Sequence, residues 1–247
     1  MLERQSPDVC VLLEIKASPE RCEATLANMR PQLAALGYKN CYWSWCTHTS
    51  FGVGYSGTLA VSKTRPDPVS FGLGHSSLDK EARVITLRYA DKTIVGVYSP
   101  NTGINPEECQ SKVDRRILFE EAMFRHLTKE KAAQPMLCYG GDLNVAPAEI
   151  DIVTEREGVT GGCTPTEREF FCRLQNELGL VDSYRLFHDD AAILGSTDVL
   201  LQRRERRSRC ASTSSCARPN SYRIRHRGSG SSRATSYAMS KPAIISR

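Results

Sequence analysis

Apolar and polar positions along this chain follow two rhythms. Short continuous apolar runs that follow a proline or stop at glycine predict buried strands, and apolar positions recurring every three to four residues predict amphipathic helices. The first run, Val9-Cys10-Val11-Leu12-Leu13, follows Ser6-Pro7-Asp8 and predicts a strand buried on both faces, with the Glu14 carboxylate emerging at its end. Ser18-Pro19 then supplies an N-cap and a first-turn proline; Cys22, Leu26, Met29, Leu33 and Leu36 keep helical spacing, and Gly37 closes the helix. Tyr38 to Phe51 is aromatic and irregular, so Tyr42, Trp43 and Trp45 are expected to pack under a loop or to stack on bases. A strand is predicted from Thr58 to Ser62, and a hairpin from Arg83 to Tyr89 and Thr93 to Tyr98 about Asp91-Lys92. Phe119, Ala122, Met123, His126 and Leu127 form the apolar side of the next helix, with His126 read as a boundary residue. Thr164-Pro165-Thr166-Glu167 is a capping box opening a helix through Phe170, Phe171, Leu174 and Leu178, and Leu180 to Arg185 begins another extended segment.

One stretch concentrates the chemistry. Met136-Leu137-Cys138-Tyr139 reads as a buried strand that stops at Gly140-Gly141 and delivers Asp142 and Asn144 to a sheet edge. If extended backbone persists through them, their side chains share a face, pairing a carboxylate that can hold a water with an amide that can donate to an oxyanion. The competing reading is an ordinary turn whose side chains satisfy backbone donors. No Gly-Lys-Ser/Thr follows the two glycines, so a P-loop is excluded, and Gly52-Val53-Gly54-Tyr55-Ser56-Gly57 precedes a strand instead of opening a helix, which argues against a dinucleotide fold. Glu14 is either paired with Lys16 or a ligand for a hard cation such as Mg²⁺, with Mn²⁺ as the alternative. Tyr98 leaves its strand just before Pro100, where its hydroxyl can meet a phosphate or a backbone group.

Composition changes the picture at one end. The net charge of +5 sums two unlike parts, because 12 of the 33 basic residues but 2 of the 28 acidic ones lie from Ser196 onward. The Ser/Arg-rich end is expected to be a disordered basic tail with affinity for polyanions. With 40% hydrophobic residues, the remainder can bury one core. No run is long enough to span a membrane and no leader is seen, so an intracellular protein is expected. The ten cysteines include no Cys-x-x-Cys, and Cys10, Cys22, Cys138 and Cys172 are read as reduced core thiols.

Taken in order, Pro7-Asp8, Glu14-x-Lys16, Gly54-Tyr55-Ser56-Gly57, Glu81-x-Arg83-Val84, Val97-Tyr98-x-Pro100-Asn101, Gly141-Asp142-Leu143-Asn144-Val145-Ala146 with Glu149-Ile150-Asp151, Thr164-Pro165-x-Glu167-Arg168 and Val181-Asp182-Ser183-Tyr184-Arg185 resemble the exonuclease III-type apurinic/apyrimidinic endonucleases, of the endonuclease/exonuclease/phosphatase superfamily. The resemblance implies an α/β fold, a four-layer sandwich of two packed sheets flanked by helices. It implies metal-dependent hydrolysis of the phosphodiester 5′ to an abasic site in double-stranded DNA, in base excision repair, with 3′-exonuclease activity beside it. It implies Glu14 as metal ligand, Asp142 as the group that orients or deprotonates water, Asn144 and Tyr98 on the scissile phosphate, and Tyr55 and Asn101 near DNA. A nuclear monomer is the expected setting.

The sequence also departs from that family's pattern. An upstream Asn strand and acidic metal-site residue are missing, as are the family's aromatic-rich segment, Arg-x-Asp-Tyr strand and closing Asp-His pair; His188-Asp189-Asp190 reverses the last of these. Residues 1–187 are therefore expected to form a domain incomplete at both ends, and 188–247 the basic tail, with a start at an internal methionine and a final third either read in a shifted frame or diverged beyond function. Poor solubility and little or no cleavage activity are expected to follow, and the alternatives are a catalytically dead nucleic-acid-binding fragment or another phosphodiesterase of the same fold.

Overall fold

Alternation along the strands sorts their side chains onto two faces, and this builds the layers. A computed structural model describes residues 2–47, 52, 54–103, 110–134, 136–148, 151, 162, 164–183 and 185. A first sheet contains β1 (Val9–Leu13), β2 (Asn40–Trp45) and β3 (Gly57–Ser62), all antiparallel in the order β1-β3-β2. The second contains β4 (Val69–Phe71), β5 (Val84–Arg88), β6 (Thr93–Tyr98) and β7 (Leu137–Asp142) in sequence order, with β6 and β7 parallel. Val9, Val11, Leu13 and Ala60 of the first sheet pack on Ile85, Leu87 and Tyr89 from the second, forming the inter-sheet core.

Helices cover the outer faces. α2 (Pro19–Ala35) lays Cys22, Leu26 and Leu33 against Leu59, Cys10 and Val61, the other face of the first sheet. α4 (Gln110–Ala133) and α5 (Pro165–Asn176) lay Phe119, Met123, Leu127, Phe170 and Leu174 on Val84, Val95 and Val97. The result is the four-layer α/β sandwich. Short helices α1 (Leu2–Gln5) and α3 (Ser76–Asp79) complete the elements. Among the described residues, no helix is long and apolar enough to cross a membrane.

Four expectations need correction. Within the stretch read as irregular, Asn40 to Trp45 form a strand that pairs residue by residue with β3, and Trp43 and Trp45 share a face with ring centroids 4.7 Å apart; residues 48–51 lie outside the described residues. Polar residues between the rings obscured the period. β7 is not a fully buried strand but the edge of the described sheet, half-exposed along its length. Leu180–Ser183 and Arg185 form no strand; Arg185 instead donates to Asp151 at 2.7 Å and pairs with Asp182, which closes a turn. Cys172 is disulfide-bonded, whereas Cys10, Cys22 and Cys138 keep reduced thiols whose pKa burial pushes above the ordinary cysteine range. The tail from 188 to 247, Pro135, Glu149, Ile150 and Tyr184 lie outside the described residues.

The helix pattern and caps read true. Thr164 and Glu167 exchange both capping-box bonds, and His126 accepts or donates with the Thr86 hydroxyl at 2.9 Å beneath α4, as a boundary histidine should. Glu120 of α4 is 4% exposed, and burial raises its pKa to about 7 despite the Arg116 partner. A raised carboxyl pKa favours the protonated form, so this group's stabilisation is complete below 4.5 and is lost as pH rises through about 7. Between pH 5 and 8 the wild type should therefore lose stability relative to Glu120→Gln, by on the order of 1–3 kcal/mol. Urea unfolding at several pH values measures it; a pH-independent difference would mean that Arg116 fully offsets the burial.

Candidate active site

Parallel register and sheet packing bring the polar strand ends together. Tyr98 and Asp142 are direct partners across β6 and β7, so both side chains project to the same face at the same end of the sheet. That face meets β1, whose Val11 packs over Gly96, two residues before Tyr98. Glu14 follows the last residue of β1 at φ 56, and its charge acts on the Tyr98 hydroxyl. One sheet thus contributes Glu14, and the other contributes Tyr98 and Asp142.

Asn144 arrives by a different route from the one the strand pattern predicts. β7 ends at Asp142, and Asn144 sits at φ 46, so extended backbone does not persist through both. Asp142 Oδ1 instead accepts from the Asn144 amide at 3.1 Å, the turn chemistry that competed with the strand reading. The turn still builds a cluster. Asn144 Nδ2 donates to the Ser99 carbonyl at 2.8 Å, Asn144 Oδ1 accepts from Asn101 Nδ2 at 3.1 Å, and Asn101 Oδ1 accepts from the Gly103 amide at 2.6 Å. Tyr55 is 43% exposed on the segment where Gly54 packs against the Ala17 carbonyl, at the rim near Lys16 and Glu14. All six residues singled out in the sequence lie at this one end.

Further residues tune the site, and sequence pattern gave them no role. Arg83 is 3% exposed; its guanidinium stacks over the Tyr98 ring at 4.6 Å and donates to the Tyr98 carbonyl at 3.2 Å. Glu81 fixes Arg83 through a 2.6 Å bond to Nε, with Arg115 at 3.4 Å from its other oxygen. Burial, then the Glu14 charge, raises the Tyr98 pKa, with Arg83 opposing, so the phenol keeps its proton and remains a donor at neutral pH. Glu167 accepts from Thr102 at 3.0 Å and so ties the Asn101 loop to the start of α5. The alternating Glu81-x-Arg83 was the available signal, but a charge pair before a strand ordinarily marks a solvated edge.

Glu14 and Lys16 form a 2.8 Å ion pair, with side chains 31% and 58% exposed. Among the described residues no cluster of three His, Cys, Asp or Glu side chains could hold a metal. This donor set does not fit a tightly held resident ion. It does fit a hard cation that takes one carboxylate and completes its shell with water and substrate oxygens. Lys16→Ala should strengthen Mg²⁺ binding to the free protein up to about fivefold, since an exposed pair is worth at most about 1 kcal/mol. Calorimetry would detect the change; no difference would place the ion away from Glu14.

Known proteins share much of this sequence. No family model matches the chain. The chain is 33% identical over 193 residues to the DNA repair nuclease APEX1 of Danio rerio, covering 77% of this chain and 57% of that protein. It is 36% identical over 151 residues to an exodeoxyribonuclease of Bacillus subtilis, covering 60% of this chain and 56% of the other. Over most of its described length this chain is similar to apurinic/apyrimidinic endonucleases and exodeoxyribonucleases. The fold agrees: the 3′-5′ exonuclease from Neisseria meningitidis superposes with a TM-score of 0.59 at 27% identity, over 76% of this chain and 67% of that one. The chain spans a little over half the length of the curated relatives described.

Proposed function

We propose that this chain carries the hydrolytic site of a DNA-repair phosphodiesterase that cleaves duplex DNA 5′ to an abasic site. The observation that carries this reading is the meeting of Glu14, Tyr98, Asp142 and Asn144 at one joint end of the two sheets. Asp142 Oδ1 is occupied by the Asn144 amide, which leaves Oδ2 to accept a proton from the attacking water. Tyr98 donates its phenolic proton to a phosphoryl oxygen, and the second N–H of Asn144 Nδ2 donates to another. Glu14 would hold Mg²⁺, which when bound supplies charge neutralisation at the phosphate. Asn101 and Tyr55 flank the site, where they contact the DNA backbone.

The nucleus, and action as a monomer on double-stranded DNA, suit this reading. The test is incision of a duplex with a single abasic analogue, compared with intact duplex, in Mg²⁺ and in chelator. Metal-dependent incision confined to the abasic duplex is the expected result. Binding that collapses with salt, shows no abasic preference and yields no product would leave a nucleic-acid-binding fragment in its place.

A further inference from the structure

We infer that Arg116 is a positioning residue that holds the Asp142-Asn144 turn and the Asn101 loop in working register; the inference rests on the hydrolytic reading above. Arg116 lies on α4, is 2% exposed, and touches none of the reacting groups proposed. Its guanidinium is shared three ways. Nε donates to Glu120 Oε1 at 2.5 Å, Nη1 to the Pro100 carbonyl at 2.7 Å, and Nη2 to the Leu143 carbonyl at 2.8 Å. The two carbonyls belong to separate loops, and each immediately precedes an asparagine of the site.

The peptide plane turns those bonds into control of side chains. A carbonyl and the next residue's N–H lie in one rigid unit. The Leu143–Asn144 unit is therefore gripped at both ends, by Arg116 on its oxygen and by Asp142 Oδ1 on its hydrogen. Fixing the carbonyl fixes where the N–H points, and so the Asp142 carboxylate that accepts from it. The grip also fixes the plane that leads into Asn144, whose φ of 46 lies in the left-handed region that asparagine tolerates better than most residues. On the other loop the Pro100 carbonyl orients the unit leading to Asn101, whose amide bonds Asn144 Oδ1. Glu167 secures the same loop further on, at Thr102. Only a planar fork reaches two carbonyls and a carboxylate together, so lysine cannot take over the task.

A buried charge pair is a poor way to gain stability, because replacement by apolar residues is often neutral or favourable. That separates positioning from folding. Arg116→Met/Glu120→Leu removes both charges together, so it should keep a cooperative urea transition with only a modest fall in midpoint from the two carbonyls it leaves behind, while the Asn144 and Gly103 amides exchange with solvent at least about tenfold faster as the loops lose their grip. kcat on the abasic duplex should fall about 100-fold with KM changed little, the signature of misplaced groups. Arg116→Lys, which retains the charge, should rescue neither reading and supplies the comparison if the double variant fails to fold. Unchanged amide exchange in these variants would overturn the inference, and so would faster exchange with unchanged kcat. A wild type that protects both amides, loses that protection on substitution and yet cleaves no duplex supports the clamp and overturns the hydrolytic reading alone.

Discussion

Gly141→Ala should destabilise the protein by more than about 3 kcal/mol, in the range reserved for backbone overlap and strain. Gly141 faces Val97 across the parallel β6–β7 pair and adopts φ +154. A Cβ there would overlap the Val97 carbonyl oxygen, which is itself part of the ladder and cannot rotate away. Either β7 peels from β6 or the strand end shifts, and both outcomes carry Asp142 away from Tyr98. Gly96→Ala provides the control. Its Cβ would lie 2.7 Å from Val11 Cγ1, a side chain that can move, so about 1–3 kcal/mol is expected. Urea unfolding of the two variants tests the ordering; a Gly141→Ala protein as stable as Gly96→Ala would show that β7 is not held in the register described.

Asp142→Asn should lower the rate of abasic-site incision by about 10²–10⁴-fold while leaving the fold and DNA affinity nearly intact. The prediction depends on what asparagine preserves. Its Oδ1 still accepts from the Asn144 amide, so the turn survives, whereas the second oxygen, assigned to water, becomes an amide that takes no proton. Asp142→Ala loses the turn bond as well and should show weaker loop protection in hydrogen exchange. Single-turnover incision with saturating enzyme separates the two. An Asp142→Asn protein that keeps more than a tenth of the wild-type rate would remove Asp142 from the water-activating role.

The strands and helices that were legible are those whose local chemistry agrees with their burial. Val9–Leu13 and Thr93–Tyr98 are apolar runs bounded by breakers, and α2 and α5 carry side-chain caps with proline in the first turn. β2 was not legible because Asn40 and Ser44 interrupt the aromatic positions; its pairing with β3 overrides that weak local preference. The position of β7 at the edge of the sheet formed by the described residues was also hidden, since an apolar run reads alike at the centre and at the border of a sheet. The candidate site shows the same division. Asp142 and Asn144 stood out by type and spacing, but the sequence left their proximity open between extended backbone and a turn, and the folded chain decides for the turn through a left-handed Asn144 and a carboxylate-to-amide bond.

Order, polarity and spacing along the chain determined which segments are strands and helices, where they are capped, and which carboxylates and amides are available for phosphate chemistry. Tertiary structure alone decided that Glu14 from one sheet meets Tyr98 and Asp142 from the other, and that Arg83 and Arg116 brace them. The reason is physical. Periodicity reports whether a side chain faces the core, a one-dimensional property, whereas sheet register and the packing of one sheet on another set three-dimensional distances between residues tens of positions apart, about which no local pattern carries information.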